Sequence, residues 1–252
     1  MSGSTQGIGH AVAEVLLTEG ASVVVNGRTE DGVTTAVGRL RDAVPGADVT
    51  GIAADFGDPA QVVRLLGELG EVDVLVNNVG VFDVQPFQDV SDDEWQRYLD
   101  VNVMSGVRLC RHLLPGMLSR GWGRVVFVSS ESGVNVPADM IHYGTTKAAT
   151  LALANGLAKL TRGTGVTVNT VLGGPTYSDG VARAVEGISR SQGVPVDQVR
   201  GAIEASNRTS LLQRFIEPAE IAHLVAYLAG TVSSATNGAA LRADGGVLTT
   251  TL

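Results

Sequence analysis

A single cysteine, Cys110, among 252 residues excludes an intramolecular disulfide and any multi-cysteine metal site. Its setting in an apolar helical stretch marks it as a buried structural thiol. Basic residues are the minority, 18 against 26 acidic, for a formal charge of −8. That balance disfavours nucleic acid or an anionic membrane as the main partner and leaves a small molecule. No apolar run nears the ~20 residues of a membrane span, and the start lacks the basic and apolar regions of a signal peptide. A reducing cytoplasmic location is the simplest expectation. His10, His112 and His223 show no metal-ligand spacing, so no metal site is expected and they read as surface or interface side chains. No Pro/Ser-rich linker, charge block or low-complexity run divides the chain, which reads as one domain over 1–252.

What is present alternates. Short β-branched runs at Ala21–Asn26, Val49–Ala54, Val72–Asn77, Gly123–Ser129 and Val166–Leu172 are separated by helix-like stretches at about 8–19, 30–43, 59–69, 91–119, 143–162 and 217–229. Strands with little polar alternation set between helices predict an α/β fold, a doubly wound (Rossmann) parallel sheet with helices on both faces. Such folds bind ligands beyond the carboxyl ends of the strands. One element is lacking. A glycine loop of the kind at Gly3–Gly9 is normally fed by a central strand, and only Met1 and Ser2 precede it. Without that strand, two neighbours should carry unpaired backbone groups beside a void. The expectation is that the numbered sequence starts late relative to the working protein; another segment filling the slot is the alternative.

Two patterns carry chemistry. In Ser2-Gly3-Ser4-Thr5-Gln6-Gly7-Ile8-Gly9, the glycines let the backbone approach a phosphate, and the helix behind them offers free N–H groups and a favourable dipole. With 32 glycines in the chain this pattern alone is weak. The second is Ser130, then Tyr143 thirteen positions on, then Lys147 four beyond that. An unperturbed phenol titrates near pH ~10 and works poorly at neutrality unless its phenolate is stabilised. Positions i and i+4 share a helix face, so the Lys147 ammonium is expected beside the Tyr143 ring, lowering its pKa. Ser130, from a neighbouring strand end, would hold a substrate carbonyl against the tyrosine. Together they would move a proton to or from a carbonyl or alcohol oxygen.

With Gly3-x3-Gly7-Ile8-Gly9, Asp55, Asn77-Asn78-Val79-Gly80, Asn102, Ser130, Tyr143-x3-Lys147 and Gly174-Pro175-Thr176 in this order, nearly the whole chain resembles the short-chain dehydrogenase/reductase family. It looks most like members described as 3-oxoacyl-(acyl carrier protein) reductase-like, and Asn237–Gly246 looks like the family's last strand. The resemblance implies that Tyr143 is the acid/base, that Lys147 lowers its pKa and holds the nicotinamide ribose, that Ser130 orients the carbonyl, and that Asn102 supports a water chain to the lysine. It also implies a nicotinamide cofactor whose phosphates lie on Gly3, Thr5, Gln6, Gly7, Ile8 and Gly9. Asp55 would accept from the adenine amine, Phe56 would border that ring, Asn78 and Gly80 would line the adenosine ribose, and Thr176 would meet the nicotinamide carboxamide. Helices Glu94–Leu118 and that of Tyr143 are apolar over more than one face; in this family they pack against a second subunit, implying a homotetramer or a dimer.

Charge selects the cofactor. A carboxylate ending the second strand would bind the ribose hydroxyls of NAD and repel a 2′-phosphate, and the turn here reads Asn26-Gly27-Arg28-Thr29. Arg28 can bond the extra phosphate, so NADP(H) is preferred and NAD(H) remains possible. The chain departs from the family at Val79, which replaces an alanine and adds bulk near the cofactor ribose, and at Gly173, which replaces a proline and loosens the loop. Residues Tyr177–Phe215, glycine-rich and poor in aromatics, fall where the family places a mobile substrate lid. Glu131, Ser132 and His142 are placed to face substrate. The expected function is an NADP(H)-dependent oxidoreductase acting on a carbonyl or secondary alcohol. A redox-neutral dehydratase, epimerase or cyclase and a cofactor-deficient scaffold are the alternatives.

Overall fold

The computed structural model describes residues 1–251. Chain order is α1 (Gly7–Thr18), β1 (Val23–Gly27), α2 (Glu30–Ala43), β2 (Val49–Ala53), α3 (Pro59–Glu68), β3 (Val74–Asn77), α4 (Asp92–Tyr98), α5 (Ser105–Arg120), β4 (Trp122–Ser130), α6 (Ile141–Leu160), β5 (Gly165–Gly173), α7 (Asp179–Gln192), α8 (Val196–Ser206), α9 (Pro218–Ala229) and β6 (Ala240–Ala243). Every strand pairing is parallel: β1 with β2, and β3–β4–β5–β6 in that order. Helices cover both faces, as the strand alternation within β4 requires. Val125 and Phe127 point into a core with Leu109, Leu113 and Met117 of α5 and Ala154 of α6. Val126 and Val128 point the other way, against Val12 of α1 and Ile221, Val225 and Leu228 of α9.

The ladder is interrupted where the first strand was expected. Among the described residues no strand lies between β1 and β3. Met1–Ser4 bridge only its carboxyl end: the Met1 nitrogen donates to Val24 O at 2.8 Å, Ser4 N–H to Asn26 O at 2.8 Å and Ser2 N–H to Val76 O at 3.1 Å. That end carries the glycine loop.

The helix expected over 91–119 is instead three pieces. Between α4 and α5 lies a π-helical turn, Leu99–Met104, of the kind that inserts one residue and re-aims its side chains. It turns Asn102 inward, where it is 4% exposed. The helix expected from residue 143 begins two residues earlier, at Ile141.

Asn26, the one polar side chain in β1, holds the interrupted ladder to the loop. Its Oδ1 accepts from Gly3 N–H at 3.2 Å, and its Nδ2 donates to Ile52 O at 3.1 Å and Ala54 O at 3.3 Å. At 4% exposure, no water replaces these partners when they are lost. Asn26→Ala is expected to lower unfolding stability by about 2–4 kcal/mol, the cost of orphaning buried backbone groups, read from urea denaturation; a change within 0.5 kcal/mol, about that of an ordinary surface substitution, would remove Asn26 from this role.

Candidate functional site

The glycine loop runs from the bridged seam into α1. Gly3 sits at φ +60° with no room for a side chain, since a Cβ there would lie 2.8 Å from Val79 Cα. Gly9 is equally confined: a Cβ would fall 2.9 Å from Ser4 Cα, on the loop's own backbone. Asn78 Nδ2 donates to Ser2 O at 3.2 Å and Gly3 O at 2.7 Å. The Asn78 amide nitrogen therefore braces the loop. Val79 has the same bracing position, its N–H donating to Ser2 Oγ at 3.1 Å. Thr5 packs on Gly27, where its Cβ lies 3.4 Å from the position a Cβ would take. Gln6 caps α1 without a side-chain bond to it, so the first N–H groups of α1, those of Gly7, Ile8 and Gly9, face out of the helix end.

The proton-transfer residues meet where β4 ends and α6 begins. Ser130 closes β4 and Tyr143 and Lys147 project from the first turns of α6. The half-buried Tyr143 phenol lies beside Ser130, whose Oγ accepts from Ser132 N–H at 3.1 Å. Burial pushes the phenol up to about 12, the Ser130 side chain offsets part of this, and the Glu131 charge adds to it. Lys147 Nζ lies 5.6 Å from the ring centroid and donates to Val128 O at 3.1 Å. Burial pulls its ammonium down to about 8. The juxtaposition expected from i,i+4 spacing is present, but the expected lowering of the phenol is not: desolvation exceeds any help from an ammonium bonded elsewhere.

Asn102 is fully engaged by protein. Its Oδ1 accepts from Val81 N–H at 2.8 Å, and its Nδ2 donates to Val81 O at 3.0 Å and Thr146 Oγ1 at 2.9 Å. It clamps the loop after β3 to α6, with Gly80 facing both Asn102 Oδ1 and Lys147 Nζ. Of the three residues expected to face substrate, half-buried Glu131 adjoins the site. Its carboxyl is raised by burial and by Asp244, with the Ser132 hydroxyl donating to it at 2.9 Å. Ser132 itself is buried. His142 does not face substrate: it is 1% exposed, with its ring 4.4 Å from that of Tyr98 and 6.3 Å from that of Trp95. Phe82 meets the Tyr143 ring edge-on at 6.3 Å.

At the carboxyl ends of β1 and β2, Arg28 borders a cavity of about 460 Å³ with Glu30, Asp58, Gln61 and Arg64. Asp58 is occupied in capping α3, its Oδ1 accepting from Ala60 and Gln61 N–H at 2.9 and 3.4 Å. Arg64, a second guanidinium at this cavity, is invisible to a motif search because it comes from α3. Asp55 Oδ1 accepts from Gly57 N–H at 2.8 Å. The Phe56 ring, 2% exposed, belongs to the core with Val62 and Leu65 and cannot border a bound ring. Thr176 is buried, donating to Gly174 O at 2.8 Å, and pairs with Ile216 in an isolated parallel bridge. Cys110 is buried as expected, its thiol pushed up to about 12 by burial. Among the described residues no helix is long and apolar enough to cross a membrane.

This combination of loop, parallel strands and Ser/Tyr/Lys group defines a dehydrogenase scaffold, and comparison with known proteins identifies the family. The short chain dehydrogenase model matches residues 1–188, and the chain belongs to that family. An uncharacterized oxidoreductase of Bacillus subtilis, YvrD, is 42% identical over 98% of this chain and 95% of its own length. A 3-oxoacyl-(acyl-carrier-protein) reductase of Salmonella typhimurium, FabG, is 30% identical over 98% and 95%. Among solved structures, L-sorbose reductase of Gluconobacter frateurii, complexed with NADPH and L-sorbose, superposes with a TM-score of 0.92 at 28% identity, covering 99% of this chain and 95% of that one.

The depressed Lys147 has a measurable consequence. Because its folded pKa of about 8 lies below the unfolded value of ~10.4, the unfolded chain binds more protons between these values. The contribution of Lys147 to stability therefore rises as pH increases from about 8 to about 10, by about 2–3 kcal/mol. Lys147→Met should lack this rise when denaturation is compared at the two ends of the window; equal slopes would place the ammonium in water.

Proposed function

We propose that the chain is an NADP(H)-dependent oxidoreductase acting on a small carbonyl or secondary alcohol substrate, with Tyr143 as the acid/base. The observation that carries this reading is the meeting of Tyr143, at the start of α6, with Ser130, at the end of β4, and the buried Lys147 ammonium 5.6 Å from the Tyr143 ring. The residues present fit the cofactor. Backbone N–H groups at the start of α1 suit its phosphates, the Arg28 guanidinium suits the 2′-phosphate, the Asp55 carboxylate suits the adenine amine, and Lys147 suits the nicotinamide ribose. The NADPH complex of the sorbose reductase supports the same choice. Bound NADP(H) supplies or takes up the hydride.

The protein's part is the proton. In reduction, Ser130 and Tyr143 donate hydrogen bonds to the substrate oxygen and fix the carbonyl. As negative charge grows on that oxygen, the phenol proton moves onto it. At about 12 the phenol is protonated throughout the physiological range, so it is ready to act as an acid. The nearby ammonium stabilises the phenolate left behind. Asn102 and Thr146 hold α6 against the loop after β3, keeping the tyrosine in register. The segment from Tyr177 to Phe215, carrying α7 and α8, is the substrate lid. Its base is closed by Tyr177 N–H donating to Ile216 O at 2.9 Å and Ile216 N–H to Pro175 O at 2.8 Å. A homo-oligomer packed through α5 and α6, in the cytoplasm, completes the reading.

Tyr143→Phe keeps the ring and removes the proton. Turnover in a carbonyl panel of 3-oxoacyl thioesters, ketoses and 3-oxo acids, followed by NADPH oxidation, is expected to fall at least ~10³-fold, within the range of general acid catalysis, with NADPH affinity nearly unchanged. Near-normal turnover would remove Tyr143 from the chemistry, and NADPH-independent conversion of a substrate would move the chain to the redox-neutral class. Arg28→Ala should weaken NADPH by about tenfold or more, as loss of a charge-assisted bond does, and leave NADH little changed. Equal loss for both cofactors would refute the phosphate contact.

A further inference from the structure

The lid touches the glycine loop at one helical turn, and the contact is made by charge. Asp179, in the first turn of α7, places Oδ2 2.5 Å from Gly7 N, accepting its N–H across 172 positions of sequence. One turn further along α7, Arg183 Nη2 donates to Gln6 Oε1 at 3.3 Å. Gly7 opens α1, which has no acidic residue in its first turn and no side-chain cap from Gln6. Its N–H is thus one of the donors a helix start leaves without an internal acceptor, and it sits where the dipole favours an anion. The anion present is the lid's own carboxylate. Ser178 closes on the same spot, its Cβ lying 3.3 Å from the position a Cβ on Gly7 would take.

We propose that Asp179 is an internal substitute for the dinucleotide phosphate: it latches the lid to the loop in the cofactor-free protein and is expelled on binding, while Arg183 stays over the loop and meets the incoming charge. The inference rests on the dinucleotide reading above. Two like charges cannot share one N–H group, so a phosphate on Gly7 requires the carboxylate to leave. Asp179 is exposed, so water receives it readily and the latch is weak enough to open. Residues 179 and 183 share a face of α7, so a small withdrawal of the helix takes the short Asp179 carboxylate off Gly7 while the longer, flexible Arg183 side chain keeps its guanidinium within reach of Gln6. Cofactor entry and lid release thereby become one event. Affinity is reduced by the fraction of molecules in which the loop is free.

The two side chains make opposite predictions, which separates a latch from a lid that is merely structural. NADPH and NADH are titrated by calorimetry into the full chain and into Asp179→Ala, Asp179→Asn and Arg183→Ala, and amide exchange at Gly7 is followed without cofactor. Expected are NADPH binding about tenfold tighter in Asp179→Ala, corresponding to a loop free in about one molecule in ten, a smaller gain in Asp179→Asn, weaker binding in Arg183→Ala, and faster Gly7 exchange in both Asp179 variants. If the full chain binds NADPH and Asp179→Ala binds it equally or less well, the latch is wrong and the dinucleotide reading stands. If no form binds either nucleotide, the dinucleotide reading fails and the latch falls with it.

Discussion

The candidate site depends on keeping one ammonium group inside the protein. Lys147 is 6% exposed, and its Nζ donates to the single carbonyl of Val128. Burying a charge with so little compensation is costly, and the surrounding structure is arranged to hold it in place. The Lys147 carbonyl accepts from Ser129 Oγ at 3.1 Å and from Thr150 Oγ1 at 2.7 Å. On the other side, Gly133 lies so close that a Cβ would come within 2.8 Å of the Lys147 carbonyl carbon. The backbone of α6 is therefore clamped to the end of β4 at the residue whose side chain most resists burial.

That clamp explains the electrostatics. The Tyr143 phenol is raised to about 12 and the Lys147 ammonium lowered to about 8, and in both cases desolvation drives the shift toward the neutral form. The protein's own groups thus supply little compensating charge at this point. On the proposed reading, the phenolate left on Tyr143 would be the first strong partner for the ammonium. The Glu131 carboxyl is raised by the same burial.

The legibility of this arrangement in the sequence varied with the kind of signal. Periodicity showed the parallel sheet, because buried strands and amphipathic helices differ in pattern. Fixed spacing showed Ser130, Tyr143 and Lys147, because two of them share a helix. Roles that depend on side-chain direction were less visible. Phe56 follows Asp55 in a loop-like stretch but turns into the core, and Asn78 spends its amide on the glycine loop. The π-helical turn that aims Asn102 has no pattern separating it from a continuous helix. Asn26 could have been noticed as a polar residue in an otherwise apolar strand. Asp179 and Arg183 could not, since their partners lie more than half the chain away.

The glycine loop is tied into the sheet as well as placed to meet a ligand. Met1–Ser4, with Asn26 and Asn78, make a seam of hydrogen bonds to β1 and to the carboxyl end of β3. A ligand bound to the loop rests on this seam and can bind fully only when the seam is formed. By linkage, binding free energy and seam stability then add, so each change that loosens the seam must weaken the ligand and each ligand must tighten the seam. The residues of this seam are also those of the glycine loop, so on the proposed reading recognition of a cofactor depends on the same few backbone hydrogen bonds.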